Sequence, residues 1–457
     1  MEEKHHKNQL LNGISTINGA AVQLPQRYTD DRRQVFGGYV QQTFGYNNIF
    51  FLTAAGRIDG STSFPSDNRT YFYPKVSGSW NISDMDFWGK SKWFSSARVR
   101  ASWGQAGNLT GIGSYDRFTT YTSNFINGIA TYNINTALGN EFIEPERASE
   151  LEVGADLSFL NNKAGLSFTV YDKKIIGNSL LVERTLAPSS GGSSRVENVG
   201  NLTNKGWELA ITANPLSSKN FSWNVFGSVN RNKNLVTASS QVSPITLANN
   251  GGSPSVILAG YPVGAFFGNY FARDSKGNLS LDAGGRPIAA TTTGTTLARK
   301  VIGNPNPDWI INLSNSVEYK KLSFSFLLDG ALGQEVFNAD RRTRQGVGIG
   351  DYAEKEAKGI LPRGYIWSIY ATEEWRVESG SYIKLREVSL SYQLPGFAKF
   401  VKNSSISVTG RNLISWDTYD GYDPETNAGG NSAVLRGIDF GNVPTPKTFQ
   451  ITFRASF

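Results

Sequence analysis

The chain closes on KTFQITFRASF, in which Phe449, Ile451, Phe453, Ala455 and Phe457 alternate without a break with Thr448, Gln450, Thr452, Arg454 and Ser456. A period of two marks a β-strand with one apolar and one polar face. A soluble protein turns the apolar face to a core. A membrane barrel turns it to lipid and lines a lumen with the polar face. The pattern recurs along the chain. Ala97, Val99, Ala101 and Trp103 oppose Arg98, Arg100 and Ser102, and Leu151, Val153, Ala155, Leu157 and Phe159 oppose Glu150, Glu152, Asp156 and Ser158. Similar runs carry Leu166, Phe168 and Val170, then Trp207, Leu209 and Ile211, then Phe221, Trp223 and Val225. Two more read around 319–321, and others in SYIKLREVSLSYQLP and SSISVTGRN. The reading is roughly thirteen to sixteen strands, many of about 9–11 residues, the length a tilted strand needs to cross a bilayer.

The connections fall into two classes. Those at 161–163, 215–220 and 319–321 are tight, whereas 110–147, 236–253, 273–300, 333–379 and 416–445 are long and rich in Gly, Ser, Thr, Asn and aromatics. Long structureless loops are uncommon in soluble domains, but short turns on one rim and long loops on the other are the rule in outer-membrane barrels. Only 350–359 reads as helical, and DSKGN (274–278) and DAGGR (282–286) read as turns. With 48 Gly, 27 Phe, 19 Tyr and 10 Trp the composition suits a strand-rich chain, and the absence of Cys excludes disulfides and thiolate sites. A soluble sandwich with solvent-facing charges fits individual strands. The number of membrane-length strands and the loop asymmetry favour an all-β, antiparallel transmembrane barrel. There is no apolar run long enough for a transmembrane helix and no apolar leader in MEEKHHKNQLLNGIS. The net charge of +7 is spread without a basic block, which argues against nucleic acid as a partner.

From about residue 34 onward the chain resembles the C-terminal part of SusC/RagA-type TonB-dependent outer-membrane transporters. Residues 57–64 (RIDGSTSF) are similar to the family's R-x-D-G-S-S-x-F strand end. Residues 73–80 (YPKVSGSW) are similar to its following F-P-S-x-S-x-G-W strand, with Lys75 in place of the usual Ser. SWGQAGN (102–108) resembles S-Y-G-x-x-G-N, and NVG (198–200) with NKGWE (204–208) resembles N-x-G followed by N-x-G-x-E. SGSYIKLR (379–386) resembles S-x-S-Y-[IL]-[RK]-[LI]-[RK], while GRNL (410–413) and YDGYDPE (419–425) resemble G-R-N-L and Y-x-G-x-D-P-E. The order of these motifs, more than any one of them, carries the resemblance.

The resemblance implies uptake of oligosaccharides, or less often oligopeptides, across the outer membrane. It implies a SusD-like surface lipoprotein as lid, energy delivered through TonB, and assembly by the barrel-inserting machinery, whose signal would be Phe449, Ile451, Phe453 and the terminal Phe457. Such transporters close with about 22 strands and begin with a signal peptide, a TonB-gripped segment and a plug domain. None of these is read before Val35, so residues 1–33 are expected to be a polar segment and 34–457 the C-terminal part of a barrel. The alternative is a non-transporting outer-membrane binding or adhesin-like β-protein using the same loops.

Enzyme chemistry is poorly provisioned: the only histidines are His5 and His6. Glu144, Glu146, Glu150, Glu152, Glu373 and Glu374 read as lumen-facing or rim carboxylates rather than as a glycosidase pair. No cofactor is expected; calcium on Asp420, Asp423 and Glu425 is the one metal reading. The loop aromatics Tyr115, Tyr121, Trp367, Trp375, Trp416, Tyr419 and Tyr422 are the ligand-contact candidates, through stacking on sugar rings or peptide side chains. For these, ligand contact and plain loop packing both stay open. Trp80, Trp103, Trp207 and Trp223 are assigned to the aromatic girdles.

Overall fold

A computed structural model describes residues 31–89, 93–109, 112–126, 129–240, 243–250, 253–395, 403–430 and 435–456. The polar segment expected at the start lies outside these residues up to residue 30. Thirteen strands form one antiparallel sheet in which every strand pairs with its neighbours in chain order. They are β1 (Val35–Tyr46), β2 (Phe50–Ser61), β3 (Thr70–Asn81), β4 (Phe94–Asn108), β5 (Glu146–Phe159), β6 (Ala164–Ile175) and β7 (Gly200–Ser218). The remainder are β8 (Phe221–Ser239), β9 (Trp309–Tyr319), β10 (Leu322–Leu332), β11 (Tyr382–Leu394), β12 (Asn403–Asp417) and β13 (Thr448–Ser456).

The register makes the alternation physical. Leu157, Leu166, Ile211, Gly227, Leu313, Leu328, Leu385 and Ile414 stand in one unbroken cross-strand row from β5 to β12. On the opposite face a second row reads Arg98, Asp156, Ser167, Ala210, Ser228, Asn312, Asp329, Lys384 and Ser415. One face is therefore apolar and the other polar across the whole wall. Apolar side chains stay exposed on the first face, Val153, Val170, Ile211 and Val408 among them. A soluble sheet would have to cover such a surface, whereas lipid covers it in a barrel.

Aromatics bracket the apolar band. At the turn rim Phe50 stacks on Trp80 with ring centroids 5.6 Å apart, and Phe221 pairs with Tyr319. Toward the other rim Trp207 meets Trp309 edge-on at 5.6 Å, and the Arg231 guanidinium lies 5.0 Å over the Trp309 ring. From Trp207 to the level of Trp223 is nine positions of β7, where Leu216 faces Trp223. At about 3.3 Å per residue and a tilt near 40° this spans roughly 23 Å, the height of a barrel's apolar band.

Tight turns join strands at 47–49, 160–163, 219–220 and 320–321, all on one rim. The other rim carries 62–69, 109–145, 176–199, 240–308, 333–381 and 418–447. The expected asymmetry holds, with corrections. The connections expected at 236–253 and 273–300 belong to one stretch, 240–308, which contains the strands Ile245–Asn250, Ser253–Ile257, Ala265–Asn269 and Arg299–Gly303. The turn expected at 215–220 is shorter, because β7 runs on to Ser218 through a bulge between Ala213 and Leu216 that accommodates Pro215. Helices are more than the one expected: α1 (Ala339–Gly346) and α3 (Tyr365–Tyr370) flank α2 (Asp351–Ala357). The α1 start is explained by Asn338, whose side chain accepts the Arg341 amide. The α3 sequence YIWSIY, rich in aromatic and β-branched residues, is weakly helical by itself and is held by packing of Ile366 and Ile369.

Two glycines explain family motif positions. A Cβ on Gly107 would lie 2.0 Å from the Tyr73 hydroxyl, and one on Gly206 would lie 2.5 Å from the Tyr171 hydroxyl. Each lets a tyrosine lie flat across a neighbouring strand.

The two faces make opposite predictions for the same substitution. Leu313→Arg, at mid-band on the apolar face, is expected to cost about 2–4 kcal/mol of barrel stability. Ser314→Arg, one residue along on the polar face, should stay within about 0.5 kcal/mol. Denaturant titration in lipid vesicles, read by heat-modifiable gel mobility, checks both.

Candidate functional site

The inner wall is built from charges and amides that answer one another. Arg98 Nη2 lies 2.8 Å from Asp156 Oδ2, and Ser167 Oγ donates to Asp156 Oδ1 at 2.7 Å. Arg100 Nη2 donates to Thr169 Oγ1 at 2.6 Å, and Lys173 Nζ is 3.9 Å from Glu150. Tyr171 Oη donates to Asn232 Oδ1 at 3.1 Å, and Asn234 Nδ2 to Asn204 Oδ1 at 2.9 Å. Farther round, Arg411 Nε donates to Glu387 at 2.8 Å. Each such pair, partly open to water, stabilises little. Together they make a wall that is polar, with cations and carboxylates interspersed. Glu150 and Glu152 line an open recess with Arg100, Thr169, Tyr171 and Lys173. They are wall residues, as the alternation implies.

At the external mouth the long connections are folded and braced. Phe64, at the end of the RIDGSTSF motif, is fully buried with Ile112 and Ile143 and anchors 109–145. Phe266, Phe337 and Ile438 pack together, joining 240–308, 333–381 and 418–447. Phe271 packs with Ile366 and Ile369 of α3. Glu373 and Glu374 tie the same pieces: Glu373 Oε2 accepts the Asn269 amide at 2.6 Å and Glu374 Oε2 the Phe271 amide at 2.9 Å. Arg273 and Lys300 neutralise Glu374 at 3.1 and 3.7 Å. These carboxylates are structural braces. Burial, reinforced by the neighbouring Arg342, brings the Arg376 guanidinium beside them down to about 10.

The turns at 274–278 and 282–286 form as read from the sequence. In each, the aspartate amide donates to the carbonyl of the fifth residue at 2.9 Å. The Asn278 side chain and the turn's amides hold the Asp274 carboxyl below the usual carboxylate range, and Arg286 does the same for Asp282.

The aromatic candidates separate into three groups. Tyr115 and Tyr121 on 109–145, Trp367 on 333–381 and Tyr422 on 418–447 present exposed rings, with Trp367 70% and Tyr422 80% exposed. Trp375 and Tyr419 are packed. Trp375 meets Tyr352 edge-on at 5.7 Å under the Arg341 guanidinium at 4.7 Å. Tyr419 is buried and its Oη donates to Asp439 Oδ2 at 2.7 Å. Burial pushes the Tyr419 phenol far above its ordinary range, and burial with nearby Asp340 raises Asp439. Trp416 belongs to β12, not to a loop. It pairs with Ile383 on the apolar face, the position of an interface aromatic.

The carboxylates singled out for calcium have protein cations as partners. Asp423 and Glu425 bond Lys384 at 2.5 and 2.9 Å, and Asp420 lies 3.8 Å from Arg341. Among the described residues no group of His, Asp or Glu side chains has metal-holding geometry. Lys384 and Arg386 are the residues that strand reading passes over. Their signal in the sequence is two cations two residues apart on the polar side of the SYIKLREVSL strand. In the terminal strand Phe449, Ile451 and Phe453 are exposed on the apolar face opposite Gly410, Val408 and Ile406. Phe457 lies outside the described residues.

Comparison with known proteins agrees with this geometry. The family model described as TonB dependent receptor-like, beta-barrel matches residues 5–413. TonB-dependent receptor P26 of Formosa agariphila is 28% identical over 93% of the chain and 46% of its own length. TonB-dependent receptor SusC of Bacteroides thetaiotaomicron is 22% identical over 90% of the chain and 42% of its own length. The RagAB peptide importer in its closed-closed state superposes with a TM-score of 0.78 at 21% identity, covering 98% of this chain and 50% of that one. The chain thus spans about half the length of the curated relatives it matches. With its two-faced wall, its one-sided loops and a match over most of its residues, the chain belongs to the TonB-dependent receptor β-barrel family of the outer membrane, a family of receptors rather than enzymes, and within it is similar to SusC.

Proposed function

We propose that the chain forms the lumen wall and external mouth of a TonB-energised importer that carries oligosaccharides, or oligopeptides, across the outer membrane. The observation that carries the reading is a polar wall of paired charges and amides crowned by braced loops that present the exposed rings of Tyr115, Tyr121, Trp367 and Tyr422. Flat rings beside amides suit sugar faces. The peptide alternative is supported by the likeness of the fold to RagAB, a peptide importer.

The partners in this reading are a SusD-like lipoprotein seated on the braced loops, TonB, and the barrel assembly machinery acting on Phe449, Ile451, Phe453 and Phe457. Among the described residues β1 and β13 each pair on one side only. Unpaired backbone in lipid costs several kcal/mol per group, so both edges are proposed to pair with further strands of a closed barrel. The residues of 34–457 then form one wall.

Disruption of the gene should abolish growth on a defined oligosaccharide set. Loss confined to peptides as amino-acid source assigns peptide cargo. Normal growth on both, with surface binding retained, turns the reading to the adhesin-like alternative. In the working importer Trp367→Ala is expected to raise the half-saturating concentration roughly fivefold, the equivalent of about 1 kcal/mol. Radiolabelled-ligand uptake by whole cells measures it.

A further inference from the structure

Three separate motifs, SYIKLR, GRNL and YDGYDPE, meet at one point of the mouth. Between Leu385 and Glu387 the β11 register shifts against both neighbours, so Arg386 turns to the polar face together with Lys384 and Glu387. The same irregularity on β12 carries Asn412, whose φ is +54°, in the GRNL motif. From there Asn412 Nδ2 donates to the Pro446 carbonyl at 3.2 Å, holding the far end of 418–447.

The near end is held by charge. Lys384 Nζ lies 2.5 Å from Asp423 Oδ1 and 2.9 Å from Glu425 Oε2, and Arg386 bonds Glu425 at 2.7 Å and Asp329 at 2.5 Å. Lys384 is 4% exposed and Asp423 6%. Asp423 also accepts the Glu425 amide at 3.0 Å and the Thr445 amide at 3.2 Å. A buried pair of this kind is costly to break on one side only, because the remaining charge has no water to answer it. Within the same stretch Tyr419 is bonded to Asp439, and the Asp420 amide donates to Glu378 at 3.0 Å. Tyr422 thus sits on a backbone clamped on both sides, with its own ring 80% exposed. A rigidly presented ring loses little freedom when a ligand stacks on it.

We propose that Lys384 and Arg386 are positioning residues for ligand capture: by clamping Asp423 and Glu425 they hold residues 419–425 rigid in the mouth and present the Tyr422 ring to cargo. This rests on the import reading. It makes SYIKLR, GRNL and YDGYDPE parts of one device.

The test uses the complete transporter with Lys384→Met, Lys384→Arg, Tyr422→Ala and the double variant Lys384→Met/Tyr422→Ala. With the barrel still heat-modifiable, Lys384→Met should raise amide exchange in 419–430 by roughly a hundredfold, and Lys384→Arg should leave it near wild type. Unchanged protection in Lys384→Met overturns the proposal whatever happens to uptake. In uptake, Lys384→Met and Tyr422→Ala should each raise the half-saturating concentration several-fold at similar maximal rate, and the double variant should be no worse than either. Additive losses, or an unaltered half-saturating concentration in Tyr422→Ala, overturn ligand presentation while leaving import intact. A wild-type protein that imports nothing fails the import reading and this proposal with it.

The clamp also has a pH limit. Burial alone would raise Asp423 and Glu425, but Lys384 and Arg386 more than offset it, so both carboxyls sit below their ordinary values of 3.8 and 4.5. Groups depressed in the folded state stabilise it above their unfolded values and lose that contribution as pH falls through the folded ones. The neighbours Asp329, Glu378 and Arg341 do not reverse this sign. Protection of 419–430, corrected for intrinsic exchange, should therefore be flat from about pH 6 to 8 and collapse below about pH 4. Opening already complete at pH 6 contradicts the clamp.

Discussion

The structure depends on one constraint: a backbone amide or carbonyl in hydrocarbon has nothing but another backbone group to bond. That requirement forces the ladder from β1 to β13, in which each strand answers the next with no crossover. A continuous ladder in turn forces a strict two-residue period, since a slip of one position would turn Leu, Ile and Val inward and Arg and Asp into lipid. The row from Leu157 to Ile414 and the row from Arg98 to Ser415 are the two sides of that single condition. At two of the places where the ladder slips, Pro215 and Arg386, the irregularity solves a local problem. One slip admits a residue without an N–H, and the other brings a cation to the polar face.

Outside the band the physics changes. The external connections are surrounded by water and could be loose, yet they build small cores of their own around Phe64, Phe266 and Phe271. Half-buried carboxylates there accept backbone amides, as Glu373 and Glu374 do. Rigid loops fit the proposed import, because ordering is complete before a ligand arrives. The same economy separates the rings: Trp375 and Tyr419 hold the loops, and Trp367 and Tyr422 are left facing out.

Much of the wall was legible in the chain. The alternation around Val99, Val153 and Phe168, the turn at 161–163 and the asymmetry of the connections survive comparison with the structure, because strand parity is a local property. What was illegible lies in the loops. The helix α3 has poor intrinsic propensity and exists through packing of Ile366 and Ile369 on Phe271 of 240–308. Trp416 looked like a loop residue until the register set it beside Ile383. Asp423 and Glu425 looked like cation ligands because the cations that satisfy them, Lys384 and Arg386, are almost forty residues away in the chain.

The sequence by itself determined the strands, their two faces and the rim on which the long loops stand, since period, length and turn chemistry all act between near neighbours. The tertiary structure alone decided which rings are free, which carboxylates are braces, and that three separate motifs form one clamp. Those outcomes hang on charge pairing and packing between residues brought together only by closure of the loops, and no local pattern encodes the partner of a buried charge.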